Sequence, residues 1–417
     1  MKRHLWAVKA VTLIACICLP LSASGQTLVP TAGPNTTTNY LQNFVQPGPN
    51  PTNDGTELES GFNLPGPNSG NTIINGSRTL FVDSVINTAA NTLLINNTSG
   101  GGGTADLEIR AGGSLGLNSV LVSAGDDAGT LAVQGGTLNV GGGGVEARAN
   151  GTVDITSGTL NSTGIIDIQS GSSFSVSGGN LNVDVTSGAA INLDGGNLDI
   201  SGGIVTLTDF APGGEVFDVT AAGNTGAIHV SGGVFQLDGL TAGSDTVSFG
   251  NEVINISGGE FEVIGGQVFA GNDTQFNIIG DAATIQWDRL NLATATRQST
   301  FNFVFDSDGV STVENAAFLT LTVGNLLVDG SAFTGDSGSF DLFTSGNLTA
   351  GFDLDNVTVT GFDDGLDFEL VQTLSADGGN GNVTLNVFAA AAVPEPSSLA
   401  ILGCVAAVGM IRRRRSV

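Results

Sequence analysis

Two serine motifs and a handful of acidic turns are the parts of this sequence that could do chemistry. Gly112-Gly113-Ser114-Leu115-Gly116 fits the Gly-x-Ser-x-Gly pattern of a nucleophile elbow. That device needs a strand, a sharp turn and a helix that together lift the hydroxyl into the open, and no helix-period segment follows Ser114. Gly335-Asp336-Ser337-Gly338 offers a second serine between glycines. Either serine needs a base. Beyond the N-terminal apolar segment there is one histidine, His229, inside Ala227-Ile228-His229-Val230, whose alternation reads as a surface strand. Asp126-Asp127 and Asp363-Asp364 could supply the carboxylate pair of a glycan hydrolase, but among 39 Asp and Glu no pair stands out. Asp306-Ser307-Asp308-Gly309 and Gly361-Phe362-Asp363-Asp364-Gly365-Leu366-Asp367 set hard oxygen ligands on turns, which makes Ca²⁺ the one candidate ion. Neither has EF-hand or Gly-rich nonapeptide spacing, and Asp and Gly are what turns favour anyway. No catalytic residue and no cofactor is therefore expected.

Composition narrows the choices further. Of 417 residues, 63 are Gly and 12 are Lys or Arg. Seven of those basic residues lie at the two ends: Lys2, Arg3, Lys9 and Arg412 to Arg415. Arg78, Arg110, Arg148, Arg289 and Arg297 remain to face 39 acids, so the interior carries 5 − 39 = −34. Such a surface repels phosphate backbones, and nucleic-acid binding is excluded. A lyase that removes a proton with a basic residue finds little to work with. Carbohydrate platforms are equally scarce, since only Trp287 and Tyr40 follow the N-terminal segment, and the 22 Phe are expected in the core. Hydrophobic residues make up 40% of the chain and mean hydropathy is +0.22, enough to bury a core. Cys16, Cys18 and Cys404 all lie in the terminal apolar segments, so the body is held by burial and hydrogen bonds alone.

The element that would position any site is a short strand. Leu107-Glu108-Ile109, Leu131-Ala132-Val133, Leu138-Asn139-Val140, Val153-Asp154-Ile155, Ile166-Asp167-Ile168, Phe174-Ser175-Val176, Leu181-Asn182-Val183, Ile191-Asn192-Leu193 and Leu198-Asp199-Ile200 share one design. The outer residues are apolar and the middle one is mostly polar, the period-two signature of a strand with one buried face. Glycines separate them, at Gly135-Gly136, Ser157-Gly158, Gly178-Gly179, Gly195-Gly196, Gly232-Gly233 and Gly258-Gly259. Triplets starting from Leu131 to Leu198 advance about eight residues per step, and three steps make a coil in the low twenties, a solenoid period. A three-residue strand buries nothing alone, but stacked on its neighbours it forms a parallel sheet around a continuous core.

The fold class expected is therefore all-β. Residues 71–297 read as a parallel β-helix, or β-solenoid, against a β-sandwich as the rival. These Gly-rich β repeats resemble those of autotransporter passengers and haemagglutinin-type adhesins. Residues 26–70 hold seven of the 11 prolines and read as a linker or N-terminal cap. Residues 298–390 alternate over longer, Phe-rich runs such as Phe301-Asn302-Phe303-Val304-Phe305 and read as a C-terminal antiparallel β unit covering the open end.

Both ends carry export signals. Residues 1–25 have a basic start, an apolar stretch from Ala10 to Leu21 and small residues Ala23-Ser24-Gly25, the three parts of a signal peptide. At the other end, Pro394-Glu395-Pro396 precedes an apolar run and then Arg412, Arg413, Arg414 and Arg415. Residues 391–417 resemble the PEP-CTERM sorting signal of Gram-negative bacteria. The resemblance implies a short membrane helix over 397–411 anchored transiently in the inner membrane, processing at the Pro-Glu-Pro motif by an exosortase-type peptidase, and delivery to the cell surface or outside. Four Arg after the apolar run favour a cytoplasmic C-terminus, and two Pro before it leave an extended segment a protease can grip. The function expected is an exported structural or adhesive protein, with exopolysaccharide or neighbouring cells as partners. The alternative is a polysaccharide-active β-helix hydrolase.

Overall fold

The computed structural model describes residues 56–57, 72–74, 78–83, 85–87, 92–96 and 103–390, apart from 126, 186–189, 210–214, 220–225, 239–245, 251, 271–272, 293–298 and 376–378. Residues 1–25, read above as a signal peptide, and 391–417, read as a sorting signal with a membrane helix, lie outside the described residues, as does all of 26–70 but Thr56–Glu57. Among the described residues no helix is long and apolar enough to cross a membrane, and the one helix is the 3₁₀ turn Leu354–Asn356.

Short strands stack in three parallel ladders, one per side of each coil. The first ladder carries Leu80, Leu107, Leu131, Val153, Phe174, Leu198, Ile228, Ile254, Phe276, Phe301, Leu326 and Val357 in register. The second runs through Leu115, Leu138, Leu160, Leu181, Val205, Phe235, Phe261, Ile285, Val313 and Phe343. A third includes Val120, Val145, Ile166 and Ile191, and later Val268, Leu290, Leu319 and Leu348. From Leu107 to Leu326 there are about nine turns, or about 24 residues each, close to the period of the triplets. Gly129–Ala147 bends through two corners and feeds all three ladders.

Burial follows the period-two pattern. Leu138, Leu181 and Leu198, like the other ladder residues just named from Leu107 to Phe343, are buried, while the residues between them face outward. The filling changes along the axis. Aliphatic side chains fill the core almost alone up to Leu207, and from Phe235 onward aromatic rings join them. Phe235 meets Phe261 at 5.1 Å between centroids, Phe261 meets Trp287 at 5.5 Å, and Phe276 stacks on Phe301 at 4.9 Å. These tilted and offset contacts are those aromatic pairs prefer.

One corner is lined by glycine. Gly158, Gly179, Gly203, Gly233 and Gly259 all have φ between 67° and 81°. The reason is as much space as conformation. A Cβ on Gly179 would sit 2.5 Å from the carbonyl oxygen of Gly158 in the coil before, so the backbones approach too closely for any side chain.

The parallel stack does not stop at 297, as the Phe-rich runs suggest it should. Thr300–Val304 pairs parallel with both Gln275–Ile279 and Asn325–Asp329, and Val357–Thr360 continues that ladder. Phe301 and Phe303 point into the same core as Phe276, so the Phe-rich alternation continues that core with aromatic filling. Among the described residues, antiparallel strand pairing enters with Gly338–Ser345, which pairs with Gly381–Ala389, itself paired with Leu366–Thr373; before it there is a single antiparallel bridge, Gln169 to Gly195. Thr56–Glu57, within the proline-rich stretch, already pairs parallel with Leu80 and Phe81.

Candidate functional site

The serine motifs resolve into structure. Ser114 opens the strand Ser114–Val122 and lies in register between Val85 and Thr137, with no helix after it. Gly113 before it is pressed against the carbonyl of Val82 in the preceding coil, so the glycines serve stacking. His229 sits five rungs along the first ladder, through Glu108, Ala132, Asp154, Ser175 and Asp199, about 24 Å from the coil of Ser114 at the spacing of β-strands. Ser337 follows the rung of Leu327, four spacings or about 19 Å beyond His229. Neither serine has its base.

The acidic turns satisfy themselves. Asp306 Oδ1 accepts from the N–H of Asp308 and of Gly309, both at 2.9 Å, and these bonds hold its carboxyl below the usual carboxylate range. Asp329 Oδ1 accepts from Ser331 N–H in the same manner at 2.9 Å. Asp363, Asp364 and Asp367 are exposed, while Phe362 just before them turns inward onto Phe305 and Phe333. Asp126 lies outside the described residues. Among the described residues no group of three or more His, Cys, Asp or Glu is placed to hold a metal ion. Trp287 is buried in the core, so it offers no platform to a sugar.

What the outer faces do carry is a set of side-chain ladders. Parallel register puts like residues at one strand spacing, where an amide can donate to one neighbour and accept from the next. On the second face Asn182 donates to Asn161 and Asn161 to Asn139, each at 2.9 Å. On the first, Asn302 donates to Asn277 at 3.0 Å, Asn277 to Asn255 at 2.7 Å, and Asn255 to Nδ1 of His229 at 3.0 Å. His229 is thus the end of an amide chain.

The third face holds the main charged network. Arg148 Nε lies 2.6 Å from Glu146 Oε1, which also accepts from Gln169 at 2.9 Å. Asp167, one rung on, accepts from Asn192 at 2.9 Å and from Gln169 at 3.3 Å. Burial pushes the Asp167 carboxyl up, helped by Glu146 and Asp194 and opposed by the amide bonds. The Arg148 guanidinium is held up by Glu146. On the second face, burial and its neighbour Glu260 push Glu262 up, while Gln236 donates to it at 2.9 Å. The sequence marks Asp167, Asn182 and Asn192 as the polar centres of triplets, but only the coil lengths show which residues stack on them. Pro394, Glu395, Pro396 and Arg412 to Arg415 lie outside the described residues.

Comparison with protein-family models, curated proteins and solved structures finds no match.

Proposed function

We propose that this chain is an exported structural and adhesive protein of the bacterial cell surface or extracellular matrix, sorted by its C-terminal Pro-Glu-Pro signal. One observation carries the reading: the body is a repetitive scaffold whose outward faces are polar ladders, and its candidate nucleophiles and its histidine are spread along the axis instead of converging. A solenoid of this kind presents a long surface on which many weak contacts add. Exopolysaccharide or neighbouring cells are the partners such a surface suits. Residues 397–411 serve as a transient inner-membrane helix, with Arg412 to Arg415 on the cytoplasmic side, until an exosortase-type peptidase cuts near Pro394-Glu395-Pro396.

Leu366–Thr373 and Gly381–Ala389 act as a C-terminal cap. In support, Gly381–Ala389 occupies the edge of Gly338–Ser345, the last strand of the second ladder, and Ser375 N–H donates to the carbonyl of Leu348 in the last strand of the third at 2.9 Å. Covered edges keep a parallel stack from recruiting other chains.

The test is a Pro394→Ala/Pro396→Ala variant followed by cell fractionation. The reading expects uncut protein retained in the membrane; normal release of the variant would refute processing there. The hydrolase alternative has one observation in its favour, the Glu260–Glu262 pair with its raised carboxyl. Turnover of any neutral or acidic glycan that disappears in Glu262→Gln would establish it.

A further inference from the structure

We propose that the second face of the solenoid, from Ser114 to Gln236, is a docking surface for a neutral polysaccharide lying along the solenoid axis. This deepens the adhesive reading and rests on it.

The argument begins with charge. The interior carries −34, and the other two faces show it: Glu108, Asp154 and Asp199 line the first ladder, and Glu146, Asp167 and Asp194 the third. The second face departs from this over two of its outward columns, while the column beside them carries Asp184 and Asp238. Its first outward column runs Ser114, Thr137, Thr159, Asn180, Ile204 and Val234, and its second runs Gly116, Asn139, Asn161, Asn182, Thr206 and Gln236. Neither column contains a charge until the next rung, where Glu260 and Glu262 end the stretch. Five spacings give a neutral strip of about 24 Å. An anionic polymer is repelled by the flanking acids, and a cationic one is drawn to them instead of to the strip. An uncharged polymer with hydroxyls is the partner that fits.

The strip is also prepared for such a partner. Because Asn182, Asn161 and Asn139 are tied to one another, their amides are held in fixed orientations. Fixed groups lose little entropy on binding, which is what lets individually weak hydrogen bonds add along a chain. The contacts recur once per rung, so the partner must itself repeat along its length, as a polysaccharide does.

The test is depletion of the full-length protein, purified in detergent, from solution by insoluble particles of a neutral β-glucan, with alginate gel as the acidic counterpart. Retention on glucan and none on alginate is expected. Asn161→Asp and, separately, Thr159→Glu put a charge on the strip and should each weaken glucan retention about tenfold, the effect of one unpaired charge at a desolvated contact. Asp154→Asn, on the neighbouring face, should bind as the parent does. Equal retention on alginate, no retention on glucan, or charged variants that bind like the parent while keeping its melting temperature would each overturn the inference. A protein shown to be sorted to the cell surface that ignores glucan sinks this proposal and leaves the surface reading standing.

Discussion

The side-chain amide of Gln372 pairs with both backbone groups of Phe352, its Oε1 accepting from the N–H at 2.7 Å and its Nε2 donating to the carbonyl at 3.0 Å. A side chain here does what a neighbouring strand would do, beside Leu348–Ala350, the last strand of the third ladder. Only a carboxamide has the donor and the acceptor side by side. Gln372→Ala should therefore cost about 1–2 kcal/mol, the value of two partly buried hydrogen bonds. Gln372→Glu should cost at least as much, since it cannot donate to the carbonyl. Denaturant melts report the loss, and hydrogen exchange should show it concentrated at Phe352. A Gln372→Ala protein with unchanged exchange there would show that this contact does not hold Phe352 in place.

The glycine corner makes a sharper prediction. Gly179→Ala meets two obstacles, a φ of 71° and the Gly158 carbonyl at 2.5 Å, and the second is backbone that cannot step aside without parting two coils. Loss of about 3 kcal/mol or more is expected, since strain and overpacking combine. Gly142 provides the contrast within the same scaffold. Its added Cβ would meet nothing within 4 Å and its φ is not positive. Gly142→Ala should be neutral or stabilise by up to about 1 kcal/mol through the unfolded chain. Thermal melts of the two variants side by side decide it.

Much of this scaffold is legible in the sequence because the period of two and the period of the coil are both carried by residue type. Leu131, Leu138, Val153, Leu160, Ile166 and Phe174 read as core, and they are buried. The end of the solenoid is not legible in the same way. Phe301-Asn302-Phe303 differs from the earlier triplets in side-chain volume, and volume is a property of the core that a strand pattern does not distinguish from a change of topology. The ladders on the outer faces need more still. Asn139, Asn161 and Asn182 are plain triplet centres until coils of different length bring them into line, and those lengths are set by loops that carry no periodic signal.

Asn315 marks a flaw in the core that can be measured. It is almost wholly buried, one rung from Trp287 on the inward side of the second ladder. Neither its Nδ2 nor its Oδ1 has a hydrogen-bond partner, and neither does Nε1 of Trp287. A buried amide without partners costs roughly 1–3 kcal/mol. Asn315→Leu conserves most of the volume and removes that cost, so it should raise stability by about 1–2 kcal/mol. A midpoint that falls instead would mean the amide is satisfied in solution and the leucine displaces whatever satisfies it.

Acid–base linkage at Asp167 gives a prediction whose sign can be worked through. Burial is the largest influence on this carboxyl and raises it above its reference of 3.8, with Glu146 and Asp194 pushing the same way and the amides of Gln169 and Asn192 opposing. Between that reference and the raised value the folded chain holds a proton that the unfolded chain has released. Stability contributed by this group is therefore full at the acid side of the window and falls as pH rises through it. Asp167→Asn cannot ionise and keeps an oxygen that can accept from Asn192, so it lacks this fall. The difference in melting temperature, variant minus parent, should increase from about pH 4 upward and level off once the parent's carboxyl is fully ionised. Taking the difference cancels the general acidic repulsion, which both proteins share. A difference that stays flat across the window, or shrinks, would show that the amide bonds outweigh burial at this position.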